Sequence, residues 1–200
     1  MTAVGKSVAA AVAVALSGAT ASAGDLKSRA LEVAEADLQA WIQLDYLVYA
    51  IREQNERHLG LGQADIAALD AAWITEGGDG PMAGDILSRQ ASVMLRDRRQ
   101  RAGGLITEVM VSDRHGLLVA LSDWTEDFMQ GDEAQYLETY AIGADAIHVS
   151  DPEFDPSTGR EQIDVSLTVQ DPETGEGIGG VTISVRSEER RVGKECPSPC

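Results

Sequence analysis

The spacing of apolar residues changes part-way along the chain. From Asp25 to about Arg101 they recur at helical intervals, and from Leu105 to Val185 they tend to alternate. In the first stretch Leu31, Ala34, Leu38, Trp41, Ile42 and Tyr49 fall near a 3.6 period. Leu44, Leu47, Val48 and Ile51 widen the stripe. This predicts one long spine helix that Asp25 caps and that Gly60 and Gly62 end after His58. A shorter helix with Ile66, Leu69, Ala72 and Trp73 on one face follows, then a loop at Gly77–Pro81. A third helix is expected from Asp85 through Ile86, Leu87, Val93, Met94 and Leu95. Arg96, Arg98, Arg99 and Arg101 lie in its last turns, where cations suit the helix dipole.

The second stretch reads as five antiparallel strands. Ile106–Val111 and Leu117–Leu121 flank the turn Asp113-Arg114-His115-Gly116. Further strands are expected at Ala146–Val149, Gln162–Val169 and Ile178–Val185. Two similar turn strings, Asp155-Pro156-Ser157-Thr158-Gly159 and Asp171-Pro172-Glu173-Thr174-Gly175, punctuate the later strands. In each, Pro presets φ and Gly closes the turn. Gly179 and Gly180 permit close strand packing. One face of such a sheet needs cover, and the N-terminal helices are the available cover. The expected class is therefore α+β, with long N-terminal helices packed on a five-stranded antiparallel sheet.

Composition sharpens the picture. With 16 Lys+Arg against 33 Asp+Glu, the formal charge is -17. Nucleic acid and anionic membrane surfaces need basic footprints, so neither is an expected partner. Lys6 precedes the apolar run Ser7–Leu16, and Ala21-Ser22-Ala23 supplies a small-x-small cleavage pattern. Residues 1–23 thus read as a signal peptide, which implies a periplasmic or secreted protein. Residues 24–104 form the helical part and 105–185 the sheet with its insertion. Residues 186–200 differ sharply in composition, hold both cysteines, and read as a disordered tail foreign to the domain.

The irregular segment Ser122–Tyr140 joins the two strand sets. It carries Trp124, Phe128, Tyr136 and Tyr140 among many carboxylates, and neither Arg nor Lys. Insertions carried on a rigid sheet commonly bind ligands. The candidate ligand-binding residues are Trp124, Asp127, Asp132, Tyr136 and Asp171. Asp171 also has a full explanation as the residue that opens its turn. Carboxylates beside aromatic faces favour a cationic or amine-containing ligand. Catalysis finds no support: His58, His115 and His148 lack spaced partners, and no nucleophile, phosphate-binding or metal motif occurs. No enzyme activity, metal or cofactor is expected.

The runs Val109-Met110-Val111-Ser112-Asp113-x-x-Gly116, Asp127-Phe128-x-Gln130-Gly131-Asp132-Glu133-Ala134, Asp155-Pro156-Ser157-Thr158-Gly159, and Val165-Ser166-Leu167-x-Val169-x-Asp171-x-x-Thr174-Gly175-x-x-Ile178-Gly179-Gly180 resemble the PDC sensor, or single Cache, domains of bacteria. The resemblance covers about Leu105 to Val185, and the preceding helices correspond to the family's long N-terminal helix. It implies an extracytoplasmic sensory domain that binds a small molecule over its sheet. Taken with the expected leader, it implies a free periplasmic binding protein that presents its ligand to a signalling partner such as a membrane receptor. A twofold copy packed on the long helix, with Trp41, Tyr46 and Tyr49 on more than one side, is a further expectation. The competing reading is a non-catalytic interaction or structural protein with a dimerising long helix and a vestigial pocket. A solvent-poor cavity lined by Trp124 and Tyr136 would favour the sensor, and a filled core there the interaction protein.

Overall fold

A computed structural model describes residues 22–42, 45–155 and 159–187. Its helices are α1 (Ala23–Ile42), α2 (Asp45–Arg57), α3 (Gln63–Glu76), α4 (Pro81–Ser88), α5 (Gln90–Arg101) and the single turn α6 (Ala134–Leu137). Its strands are β1 (Ile106–Ser112), β2 (Leu118–Leu121), β3 (Ile147–Val149), β4 (Glu153–Asp155), β5 (Arg160–Gln170) and β6 (Gly177–Arg186). The fold is α+β, with helices packed on an antiparallel sheet of order β2-β1-β6-β5-β3. The five expected strands are present. A sixth, β4, pairs with β5 beyond β3 through Phe154 opposite Glu161. At three residues it is too short to show a period.

The helical half differs from expectation at its joins. The expected spine helix corresponds to α1 and α2. Residues 43–44, the side chains of Leu38 and Trp41, most of the expected leader and the tail beyond Ser187 lie outside the described residues. Asp25 does not itself occupy the cap of α1. It stands at the third helical position, its carboxylate accepts the Ser22 amide at 3.2 Å, and Ser22 Oγ accepts the Asp25 amide at 3.2 Å. The expected third helix is two helices, because Arg89 is extended, at φ -60 and ψ 147. The buried Ser92 hydroxyl donates to the Ile86 carbonyl at 2.6 Å and accepts the Leu121 amide at 3.0 Å, which pins the break against β2. Arg89 turns inward and donates to Gln54 Oε1 at 2.9 Å and to the Val119 carbonyl at 3.0 Å.

Two apolar cores follow from the strand alternation. Val109, Val111, Val165, Val169, Val181, Ile183 and Val185 face α1, α2 and α5. Met110, Leu117, Leu118 and Leu121 join Ile66 and Trp73 of α3, Ile86 of α4 and Phe128 in a second cluster. Trp73 stacks on Phe128 with ring centroids 5.2 Å apart. Gly179 is required where β6 passes β1, because a Cβ there would lie 2.1 Å from the Ser112 carbonyl oxygen. The sheet face away from the first core is polar. It carries Glu108, Ser112, Asp164, Ser166, Thr182 and Ser184, and Ser166 and Thr182 hydroxyls pair at 3.0 Å.

Candidate functional site

The β1–β2 turn and the segment after Met129 meet backbone to backbone. Asp113 opens the turn, and Gly116, at φ 78, donates to the Asp113 carbonyl at 3.0 Å. The Gly116 carbonyl accepts the Gln130 amide at 2.8 Å, and Leu117 bridges to Met129. The Gln130-Gly131-Asp132 string then turns in 3-10 geometry and leads into α6. Buried Gln130 holds this corner, with its amide donating to the Asp127 carbonyl and its oxygen accepting from Gln135.

A groove of about 320 Å³ opens between the turn and this segment. It is lined by Gln63, Ile66, Arg114, His115, Met129, Gly131, Asp132 and Tyr136. Arg114 and Asp132 are both exposed. Among the described residues, neither the Arg114 guanidinium nor the Asp132 carboxylate has a hydrogen-bond or ion-pair partner. Tyr136 donates to the Arg114 carbonyl at 2.5 Å, and its ring lies 5.2 Å from that of Tyr140. Burial, then the neighbouring Tyr140, raises the Tyr136 phenol above the usual tyrosine range, so it stays a donor at neutral pH. Behind Tyr136, a recess of about 10 Å³ over Met110, Ser112, Gly180 and Thr182 leaves little free space on the sheet itself.

The five residues singled out by sequence are not gathered in one place. Asp132 and Tyr136 share the groove. Trp124 packs against the second core, with Gly78 so close that a Cβ there would lie 3.0 Å from the indole. Asp127 is half-buried and accepts the Met129 amide at 3.3 Å. Burial, then the charge of Asp70, pushes its carboxyl above the ordinary range. Asp171 lies on the β5–β6 turn, where its carboxylate accepts the Glu173 amide at 2.8 Å and receives the Arg52 guanidinium of α2, Nε at 2.7 Å. Hydrogen bonding to Arg52, then to the Glu173 amide, holds its carboxyl down at about 2.

Sequence reasoning missed Arg114 and His115. The Ser122–Tyr140 segment holds neither Arg nor Lys, and the groove draws its arginine from the preceding hairpin turn. The histidines also differ from expectation. His58 Nδ1 lies 2.6 Å from the buried Asp113 carboxylate, and His148 Nδ1 lies 2.7 Å from Glu138. The α5 arginines serve the fold: Arg99 donates to the Thr107 carbonyl and to Asp123, Arg96 donates to the Leu87 carbonyl, and Arg101 pairs with Asp97. Among the described residues, no group of three or more His, Cys, Asp or Glu is arranged to hold a metal ion, and no helix is long and apolar enough to cross a membrane.

No family model and no curated protein matches the chain. Among solved structures, the chain is similar to the sensor domain of the V. cholerae histidine kinase DctB. Identity is 13%, the match covers 82% of this chain and 53% of that one, and the TM-score is 0.40. It is similar to the sensory domain of the Campylobacter jejuni chemoreceptor Tlp3 at 14% identity, over 82% of this chain and 64% of that one, with TM-score 0.41. It is also similar to the ligand-binding domain of the Pseudomonas aeruginosa amino acid chemoreceptor PctC, in complex with GABA. There identity is 17%, coverage 82% and 61%, and TM-score 0.35. The chain thus spans less than two thirds of each of these structures. These three structures are sensor or ligand-binding domains of a histidine kinase and of two chemoreceptors.

Proposed function

We propose that this protein is an extracytoplasmic, non-catalytic sensor domain that binds a small amine-containing molecule and presents it to a signalling partner such as a membrane receptor. The ligand seat is the groove between the β1–β2 turn and the Gly131–Tyr136 segment. One observation carries this reading: Arg114 and Asp132, of opposite charge, line one groove without pairing to each other or to other described residues. The groove, about 320 Å³, falls at the small end of ligand pockets, which run roughly 300–1,000 Å³. An ammonium group pairs with Asp132, and an anionic group on the same molecule takes the Arg114 fork. Tyr136 supplies an aromatic wall. Trp124, Asp127 and Asp171 lie outside this seat and serve as packing and turn residues.

The test is calorimetric titration of the protein with γ-aminobutyrate, L-valine, putrescine and succinate. Binding of a compound that carries both charges, lost in Arg114→Ala and in Asp132→Asn, is the expected result. Binding of putrescine or succinate that both variants retain would overturn the assignment.

A second reading, an interaction protein that pairs through its helices, draws on the outer face of α2. Tyr46 and Tyr49 are 52% and 66% exposed there and border a groove of about 310 Å³ with Glu53, Arg57, Asp85 and Arg89. This reading needs a dimer, so monomeric behaviour in sedimentation at tens of micromolar would overturn it.

A further inference from the structure

We propose that the β1–β2 turn is a two-sided relay that couples the groove to the C-terminal end of α2. On the groove side, the Tyr136 hydroxyl donates to the Arg114 carbonyl. That carbonyl belongs to the same planar peptide unit as the His115 amide, so neither can tilt without the other. The His115 amide donates to Asp113 Oδ1 at 2.8 Å, and the Leu117 amide to the same oxygen at 3.0 Å. The Asp113 side chain has no exposed surface. Its other oxygen accepts Gln54 Nε2 from the last turn of α2 at 3.1 Å and faces Nδ1 of His58, the residue just past α2, at 2.6 Å.

A second strand of the relay runs beside the first. The Arg114 amide donates to Asn55 Oδ1 at 2.9 Å, and Asn55 Nδ2 donates to the Ile178 carbonyl at 2.7 Å. Arg114, which lines the groove, is therefore held at its N–H by α2 and at its C=O by α6. Gln54 and Asn55 are 2% and 5% exposed, so water cannot readily replace these bonds when they loosen. A shift of Tyr136 must be absorbed by the peptide plane, and the buried carboxylate passes it to His58 and Gln54. The relay takes its purpose from the proposed groove, but its existence is tested without any ligand.

The test is hydrogen exchange on the whole chain in Tyr136→Phe, which removes one hydroxyl and keeps the ring. Amides of residues 54–58 are expected to exchange about threefold faster, the effect of weakening one hydrogen bond that secures them. Asp132→Asn, which lines the same groove outside the relay, is the control and should leave those amides unchanged. Because coupling is reciprocal, Asn55→Ala should in turn shift the ring resonances of Tyr136. Faster exchange confined to residues 130–137, equal acceleration of α2 in both groove variants, or unmoved Tyr136 resonances in Asn55→Ala would each overturn the relay. Failure of the calorimetric titrations with the exchange coupling intact would instead count against the ligand assignment alone.

Discussion

Gly116 and Gly131 pack against each other so closely that a Cβ on Gly116 would lie 2.4 Å from the Gly131 Cα and nitrogen. Gly116 also has φ 78, a left-handed conformation that L side chains rarely adopt. This contact seats the Gln130–Asp132 turn on the β1–β2 turn and shapes the groove floor. Gly116→Ala should destabilise the domain by about 1–3 kcal/mol from backbone strain alone. Urea unfolding measures this, and a variant as stable as the parent would show that the two turns do not meet as described.

The polar sheet face predicts an unusual pH dependence. Glu108 and Asp164 both sit opposite Ser184, on its two neighbouring strands. Burial, then the charges of Asp164, Asp155 and Asp123, pushes the Glu108 carboxyl up to about 7. The folded state therefore holds a proton that the unfolded chain has lost. The resulting penalty is absent below about pH 4, grows as pH rises toward 7, and is full above that. Glu108→Gln removes it, so the variant should be more stable than the parent by about 1–3 kcal/mol at pH 8 and nearly equal to it at pH 4. Thermal unfolding at the two pH values decides this.

Asp171 should act in the opposite sense. Its carboxyl is held at about 2 by Arg52 and the Glu173 amide. The stabilisation is present above its unfolded value, near 4, and is lost as pH falls through about 2. Asp171→Asn should therefore be less stable than the parent at pH 6, with the gap closing in strong acid. A constant gap across that range would mean that the charge of Asp171 does not hold the β5–β6 turn to α2.

The Ser92 hydroxyl ties the break between α4 and α5 to β2. Ser92→Ala leaves the Leu121 amide without its partner in a fully buried place. The cost should be about 1–3 kcal/mol, the range for an unsatisfied buried donor. Hydrogen exchange should show the Leu121 amide losing protection more than its neighbours. If stability is unchanged, another group satisfies that amide.

Local residue patterns were enough to define the class and its main elements. A change from helical to alternating spacing is visible within a single element, so the α+β class, the five main strands and the hairpin turns were legible. The need for a glycine at 116, 159 and 175 was legible too, because positive φ is a property of the residue's own backbone. Which side chains meet was set by packing between distant segments. Arg114 reaches the groove because Gly116 packs on Gly131, fifteen residues further along. Asp171 is engaged on the β5–β6 turn, where Arg52, 119 residues earlier, claims its carboxylate. The helix that sequence extended through Arg89 breaks because Ser92 bonds Leu121 and Arg89 reaches Val119. Each of these outcomes is set by a contact between residues distant in the chain, where helix and strand periodicity carry no information.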